Sequence, residues 1–228
     1  MKTTYYLTFL LFFSLIIGAH AQTQRETRNL GSFDAVKISN SIKAELVRGD
    51  QNKVEITVLG IEIGKVETSI VDGTLEVRLA RGNFRNHTVE VVVTYVDIQG
   101  IEATTSATVI AKDKIVAEEA YLYAGTSAYL EANLEADVLN IEAATNAKIY
   151  VEGKVDGLGI RAFTNAEIDA KKLIGDNVEV LANTASTVYF RTNGKIQGSA
   201  ATAAKVYYTG NPKEVNVKTS TGGNISKN

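Results

Sequence analysis

Not one of the 228 residues is cysteine. That absence excludes a disulfide framework, a thiolate metal site and an acylated cysteine behind a leader. Histidine is almost as scarce: His20 lies in the leader described below, and His87 is the only other one. His87 sits in "RGNFRNHTVE", a turn entering a strand, where nothing nearby supplies a nucleophile or an orienting acid. A hydrolytic triad and histidine-based metal binding therefore have no foundation, and no cofactor signature is present. The calcium-binding pattern Gly-Gly-x-Gly-x-Asp is missing as well. Nor does one sign of charge dominate, with 24 Lys and Arg against 26 Asp and Glu. Nucleic acid, which needs a basic surface, is excluded as a partner.

Long apolar runs are also lacking, with one exception. The chain opens with Lys2, an apolar run from Tyr5 to Ile17, then Ala19-His20-Ala21. The run is shorter than the roughly 20 residues that span a bilayer, and small residues three and one positions before Gln22 suit signal peptidase. Residues 1–21 are expected to be a signal peptide cleaved after Ala21, with no transmembrane segment behind it. Removing Lys2 leaves 23 basic against 26 acidic residues, a net charge of −3. The product is expected in the periplasm, at the cell surface or in the medium, and not as a lipoprotein. The mature 207 residues (228 less 21) suffice for one sizeable core. Residues 22–30 are read as a linker and residues 31–228 as a single domain.

What is present is alternation. From Phe33 onward apolar residues recur at a period of two, in "VKISNSIKAEL", "KVEITVLG", "VETSIVDGTLEVRL" and "HTVEVVVTYV". Asp72-Gly73 marks a two-residue hairpin turn, and Arg48-Gly49-Asp50 reads as a turn between strands. Residues 31–100 are thus β-rich.

Past residue 100 one phrase keeps returning: "EATTSATV", "YAGTSAYL", "EAATNAKI", "RAFTNAEI", "LANTASTV", "SAATAAKV" and "KTSTGGNI". Its threonines, Thr105, Thr126, Thr145, Thr164, Thr184, Thr202 and Thr221, are spaced by 21, 19, 19, 20, 18 and 19 residues. A period too short for a helical crossover, kept through all these copies, predicts an all-β fold, a parallel β-helix. The general preference of parallel crossovers makes it right-handed. Stacking like over like forms an inner apolar column of Val109, Leu130, Ile149, Ile168, Val188, Val206 and Ile225. A break of phase at each corner would turn the threonines outward as a surface ladder, whereas alternation carried straight through turns them inward as well. In that orientation a threonine hydroxyl would need a partner, and Thr→Val would cost about 1–2 kcal/mol.

Function on a solenoid belongs to its outward columns. One reads Ile110, Glu131, Tyr150, Asp169, Tyr189, Tyr207, and its neighbour Thr108, Tyr129, Lys148, Glu167, Thr187, Lys205. The candidate ligand-binding residues are Tyr129, Tyr150, Tyr189, Tyr207, Lys148 and Asp169. Phenol rings beside Asp and Lys can stack on sugar rings and exchange hydrogen bonds, or serve a protein interface. Tyrosine's strand propensity alone also explains such a column. Tyr121 and Tyr123 are expected near the same face. The Ser106, Ser127, Asn146 and Asn165 ladder is read as a structural turn. Partners in view are a surface glycan or another envelope protein, in a non-enzymatic binding or adhesion module. The alternatives are a carbohydrate-active β-helix enzyme and a purely structural envelope protein. An enzyme needs clustered carboxylates, and neither outward column holds two acids in succession.

The two ends, "LGSFDAVKISNSIKAELVRGDQNKVEITVLG" and "VYYTGNPKEVNVKTSTGGNISKN", carry Phe-x-x-Val-x-Ile before Arg-Gly-Asp-Gln, and Gly-Asn-Pro before the last coil. With the small-residue corners between them, they resemble the putative auto-transporter adhesin, head GIN domain family over residues 31–228. That resemblance implies a secreted or envelope β-helix-like protein. The family's corners are richer in Ser and Gly than these, so no role of glycine corners is carried over.

Overall fold

The structure, a computed structural model, describes residues 23–228. The expected signal peptide lies outside the described residues. Among the described residues every regular element is a strand except one 3-10 turn at Ile63–Lys65. The first half contains β1 (Gln24–Asn29), β2 (Ala35–Ile38), β3 (Lys43–Arg48), β4 (Lys53–Leu59), β5 (Val66–Val71), β6 (Thr74–Leu79) and β7 (Thr88–Tyr95). The second contains β8 (Gly100–Ala103), β9 (Thr108–Ala111), β10 (Ile115–Gly125), β11 (Tyr129–Ala144), β12 (Lys148–Phe163), β13 (Glu167–Ala182), β14 (Thr187–Ala200), β15 (Lys205–Thr209), β16 (Glu214–Thr219) and β17 (Asn224–Lys227).

From β8 onward each strand pairs in parallel with its equivalent one coil away, forming a β-solenoid. Val109, Leu130, Ile149, Ile168, Val188, Val206 and Ile225 are in register through the stack. All but Ile225 are fully buried, so the column is continuous core. Gly153 shows how close the backbones come: its φ is +127°, and a Cβ there would overlap the carbonyl oxygen of Leu134 on the coil beside it. Only glycine fits that conformation and that approach.

The N-terminal half is also coiled, but out of sequence order. β2 lies between β6 and β8, and β3 between β7 and β9, all in parallel. "VKISNSIKAEL" is therefore not one strand. It is β2 and β3 joined at Asn40 and Ser41, a corner like the later ones. β4 then lies antiparallel on β7, and β5–β6 form the expected hairpin, with Asp72 and Gly73 at φ 48° and 77°. Residues 24–29, expected as linker, form β1 along β4. There Arg28 Nη1 donates to the Val66 carbonyl at 2.7 Å, tying β1 to β5.

The corners correct the expectation that the threonines face inward. Thr145 and Asn146 both have left-handed backbone, φ 54° and 60°, and the same holds at every threonine corner except that Gly222 follows Thr221. Ala147 N–H donates back to the Ala144 carbonyl at 3.3 Å, making a tight turn between two strands. Both central residues are thereby thrown outward, and all seven threonines are exposed. The small residues that fill the narrow interior are the alanines on either side, such as Ala143 and Ala147, both fully buried. What stacks at the corner is backbone. Ser127 N–H donates to the Thr145 carbonyl and Asn146 N–H to the Thr164 carbonyl, and so on from Ser41 to Thr221, at 2.9–3.0 Å.

Candidate functional site

The face that follows each corner carries the outward columns read from the sequence. β11, β12, β13, β14 and β15 place Tyr129, Lys148, Glu167, Thr187 and Lys205 in one row, and Glu131, Tyr150, Asp169, Tyr189 and Tyr207 in the next. Alternation in a strand sends both rows to solvent, because the residues between them belong to the core. The diagonal neighbours Tyr129 and Tyr150 have ring centroids 5.5 Å apart. Tyr189 and Tyr207 stack at 5.1 Å with 14° between their planes. Asp169 stands between these two pairs, one coil from Tyr150 and one from Tyr189.

An open concavity of about 740 Å³ lies over this surface, lined by Tyr129, Tyr150, Asp169 and Lys171, among others. Tyr189, Tyr207 and Lys148 stand beside it rather than in its lining. Its ionic groups balance, with Lys112, Lys171 and Lys172 against Glu131, Glu152 and Asp169. Most are engaged: Lys171 Nζ with Asp169 at 2.7 Å, Lys172 Nζ with Glu152 at 3.7 Å, and the Tyr129 hydroxyl donating to Glu131 at 2.9 Å. Lys148 meets Glu167 at 3.1 Å. Burial, reinforced by the bond to Glu131, pushes the Tyr129 phenol up to about 12. The bonds to Glu167 and Asp169 raise Lys148 and Lys171. Near neutral pH the surface therefore presents an un-ionised Tyr129 phenol and closed ion pairs, suited to an uncharged hydroxylated ligand more than to an ion.

Lys171 flanks the outward pair Glu167 and Asp169 in the sequence, but its contact with Tyr189 is not evident there. Its ammonium lies 4.7 Å from the Tyr189 ring centroid, a cation over an aromatic face. The signal was the spacing of 20 residues between Thr164 and Thr184, after one of 19. The extra residue interrupts the register of β13 on β12 after Asp169, at the bend where Lys171 turns outward.

Tyr121 and Tyr123 are not on this face. They precede the corner and line a separate groove of about 530 Å³ with Glu102, Asn140 and Arg161. The Tyr121 ring lies against Gly100, where a Cβ would strike it. Around the next bend, Asp34, Asp97, Glu118, Glu119 and Asp137 line a third concavity, an acidic one. Among the described residues no group of three or more His, Cys, Asp or Glu is arranged to hold a metal ion.

The model of the family described as "Putative auto-transporter adhesin, head GIN domain" matches residues 32–212. The chain belongs to that family. Solved structures similar to this head GIN domain include a putative adhesin from Bacteroides fragilis, with a TM-score of 0.78 and 13% identity over 91% of this chain and 97% of that one. Another, from Parabacteroides merdae, has a TM-score of 0.74 and 17% identity over 91% and 96%. A third is described as a putative lipid binding protein from Parabacteroides distasonis, with a TM-score of 0.60 and 16% identity over 90% and 97%. At these identities the likeness concerns the fold. No curated protein matches the chain.

Proposed function

We propose that this head GIN domain is an exported, non-enzymatic binding module of the bacterial envelope, of the adhesion type, which holds a neutral glycan on the face bearing Tyr129, Tyr150, Tyr189 and Tyr207. The observation that carries this reading is the pairing of half-buried rings, each with part of its surface to solvent, on either side of the Asp169–Lys171 ion pair, beside an open, charge-balanced concavity. Phenol faces stack on the apolar faces of sugar rings, while carboxylate, ammonium and phenol edges exchange hydrogen bonds with hydroxyls. A row repeated at the strand spacing of about 4.8 Å also suits an extended chain ligand. The family description and the adhesin neighbours favour a binding role and a surface or extracellular address.

An enzymatic reading has less support, because the carboxylates of the concavity are held by partners rather than facing one another across an open gap. A lipid ligand, suggested by one neighbour, would need an apolar trough, and this lining carries six charged side chains. The test is a glycan array and whole-cell binding with the protein and its Tyr150→Ala/Tyr189→Ala/Tyr207→Ala variant. Binding that survives the triple change contradicts the proposal. New reducing ends or unsaturated products from a polysaccharide panel would favour the enzyme instead.

A further inference from the structure

The two ends of the solenoid are finished differently. At the N-terminal end β4 lies antiparallel on β7 and β1 on β4; β1 too is paired on one side only, but its sequence QRETRN carries no apolar residue and Arg28 ties it to β5. At the other end, among the described residues, β16 pairs only with β14 and β17 only with β15, each on one side. The interior is open there. Val215 continues the core column of Ile196, which is 1% exposed, yet is itself 45% exposed. Val217 and Ile225 are only partly covered. Such an edge invites another strand.

The edge sequence states which strand. In Glu214-Val215-Asn216-Val217-Lys218, the residues equidistant from Asn216 are complementary. Antiparallel pairing of β16 with itself, about a two-fold axis through Asn216, sets Glu214 opposite Lys218 of the second copy and Lys218 opposite its Glu214. Val215 then meets Val217. Inward and outward faces are preserved, because Glu214, Asn216 and Lys218 continue outward positions and Val215 and Val217 inward ones. Glu214, 3.8 Å from Lys195 in its own chain, would also gain a second cation. We propose that the occupant of this edge is a second copy of the chain, docked tail to tail through β16 in a symmetric dimer. The interface continues the valine core across the joint and gives the assembly two copies of the tyrosine face, a route to bivalent attachment. The inference does not depend on what that face binds.

Sedimentation equilibrium of the purified protein should show a concentration-dependent dimer. Glu214→Lys or Lys218→Glu alone puts like charges opposite each other twice per dimer and should weaken it roughly 10- to 30-fold. The double variant, and an equimolar mixture of the two single variants, should regain the dimer, since each restores both pairs. Asn216→Cys, facing itself on the axis, should form an intermolecular disulfide under mild oxidation. Gln197→Cys, one coil inward, should not. Thermal melts monitored by circular dichroism keep loss of fold apart from loss of association. A protein that stays monomeric at all concentrations overturns the proposal, as does a dimer indifferent to the charge swaps or one that cross-links equally through Gln197→Cys.

Discussion

Lys171 Nζ lies 4.7 Å from the centroid of the Tyr189 ring, held there by a 2.7 Å contact with Asp169. A partly exposed cation–π contact and a partly exposed ion pair each contribute about 1 kcal/mol. Lys171→Met removes both and should therefore shift the urea unfolding free energy by no more than about 2 kcal/mol, yet free the Tyr189 ring and lower glycan affinity several-fold. A pair of urea and ligand titrations checks both halves.

Tyr129 supplies a pH dependence. Its phenol is raised to about 12, first by burial and then by its bond to Glu131, whereas in the unfolded chain it titrates near 10. Above pH 10 the unfolded state loses this proton while the folded state keeps it. The associated stability is intact below pH 10 and drains away as pH rises towards 12. In urea melts between pH 9 and 11.5, the Tyr129→Phe protein should lose stability less steeply than the parent, and the high-pH step of the 295 nm phenol titration should shrink by one tyrosine.

Thr145, at φ 54°, holds a backbone conformation that β-branched residues avoid and asparagine tolerates. Thr145→Asn should stabilise the fold by about 0.5–1 kcal/mol. Thr145→Val should change it by less than about 0.5 kcal/mol, because the exposed hydroxyl bonds no other described side chain. An inward threonine would give the opposite pattern, with both changes destabilising. Chemical denaturation of the two variants separates the cases.

Much of this architecture could be read from particular residues. The column from Val109 to Ile225 was legible because a shared period puts chemically alike residues at one level, and burial demands likeness there. The direction of Thr145 was not, because four steps separate Ala143 from Ala147 whether the chain runs straight or turns. Parity is the same in both cases, and only the asparagine at position 146, like Asn40 and Gly222 at other corners, hints at left-handed backbone. The placement of β2 between β6 and β8 was beyond reach for a different reason: parallel pairing across 39 residues on one side and 65 on the other leaves no local signal. At the candidate site, the rows of Tyr150, Tyr189 and Tyr207 followed from period alone. The position of Lys171 depends on a one-residue bulge, and the separation of Tyr121 and Tyr123 depends on the corner between them and Tyr129.

In the proposed binding mode the tyrosine rings themselves make the contact. It is tested most directly by calorimetric affinities of one neutral oligosaccharide, chosen from the array, for the parent protein and for Tyr189→Phe and Tyr189→Ala. Stacking by the ring should leave the phenylalanine variant within about threefold of the parent and weaken the alanine variant tenfold or more, in keeping with about 0.5–1.5 kcal/mol for the ring contact plus its buried area. Equal affinities for all three proteins, or a phenylalanine variant as weak as the alanine one, would contradict it.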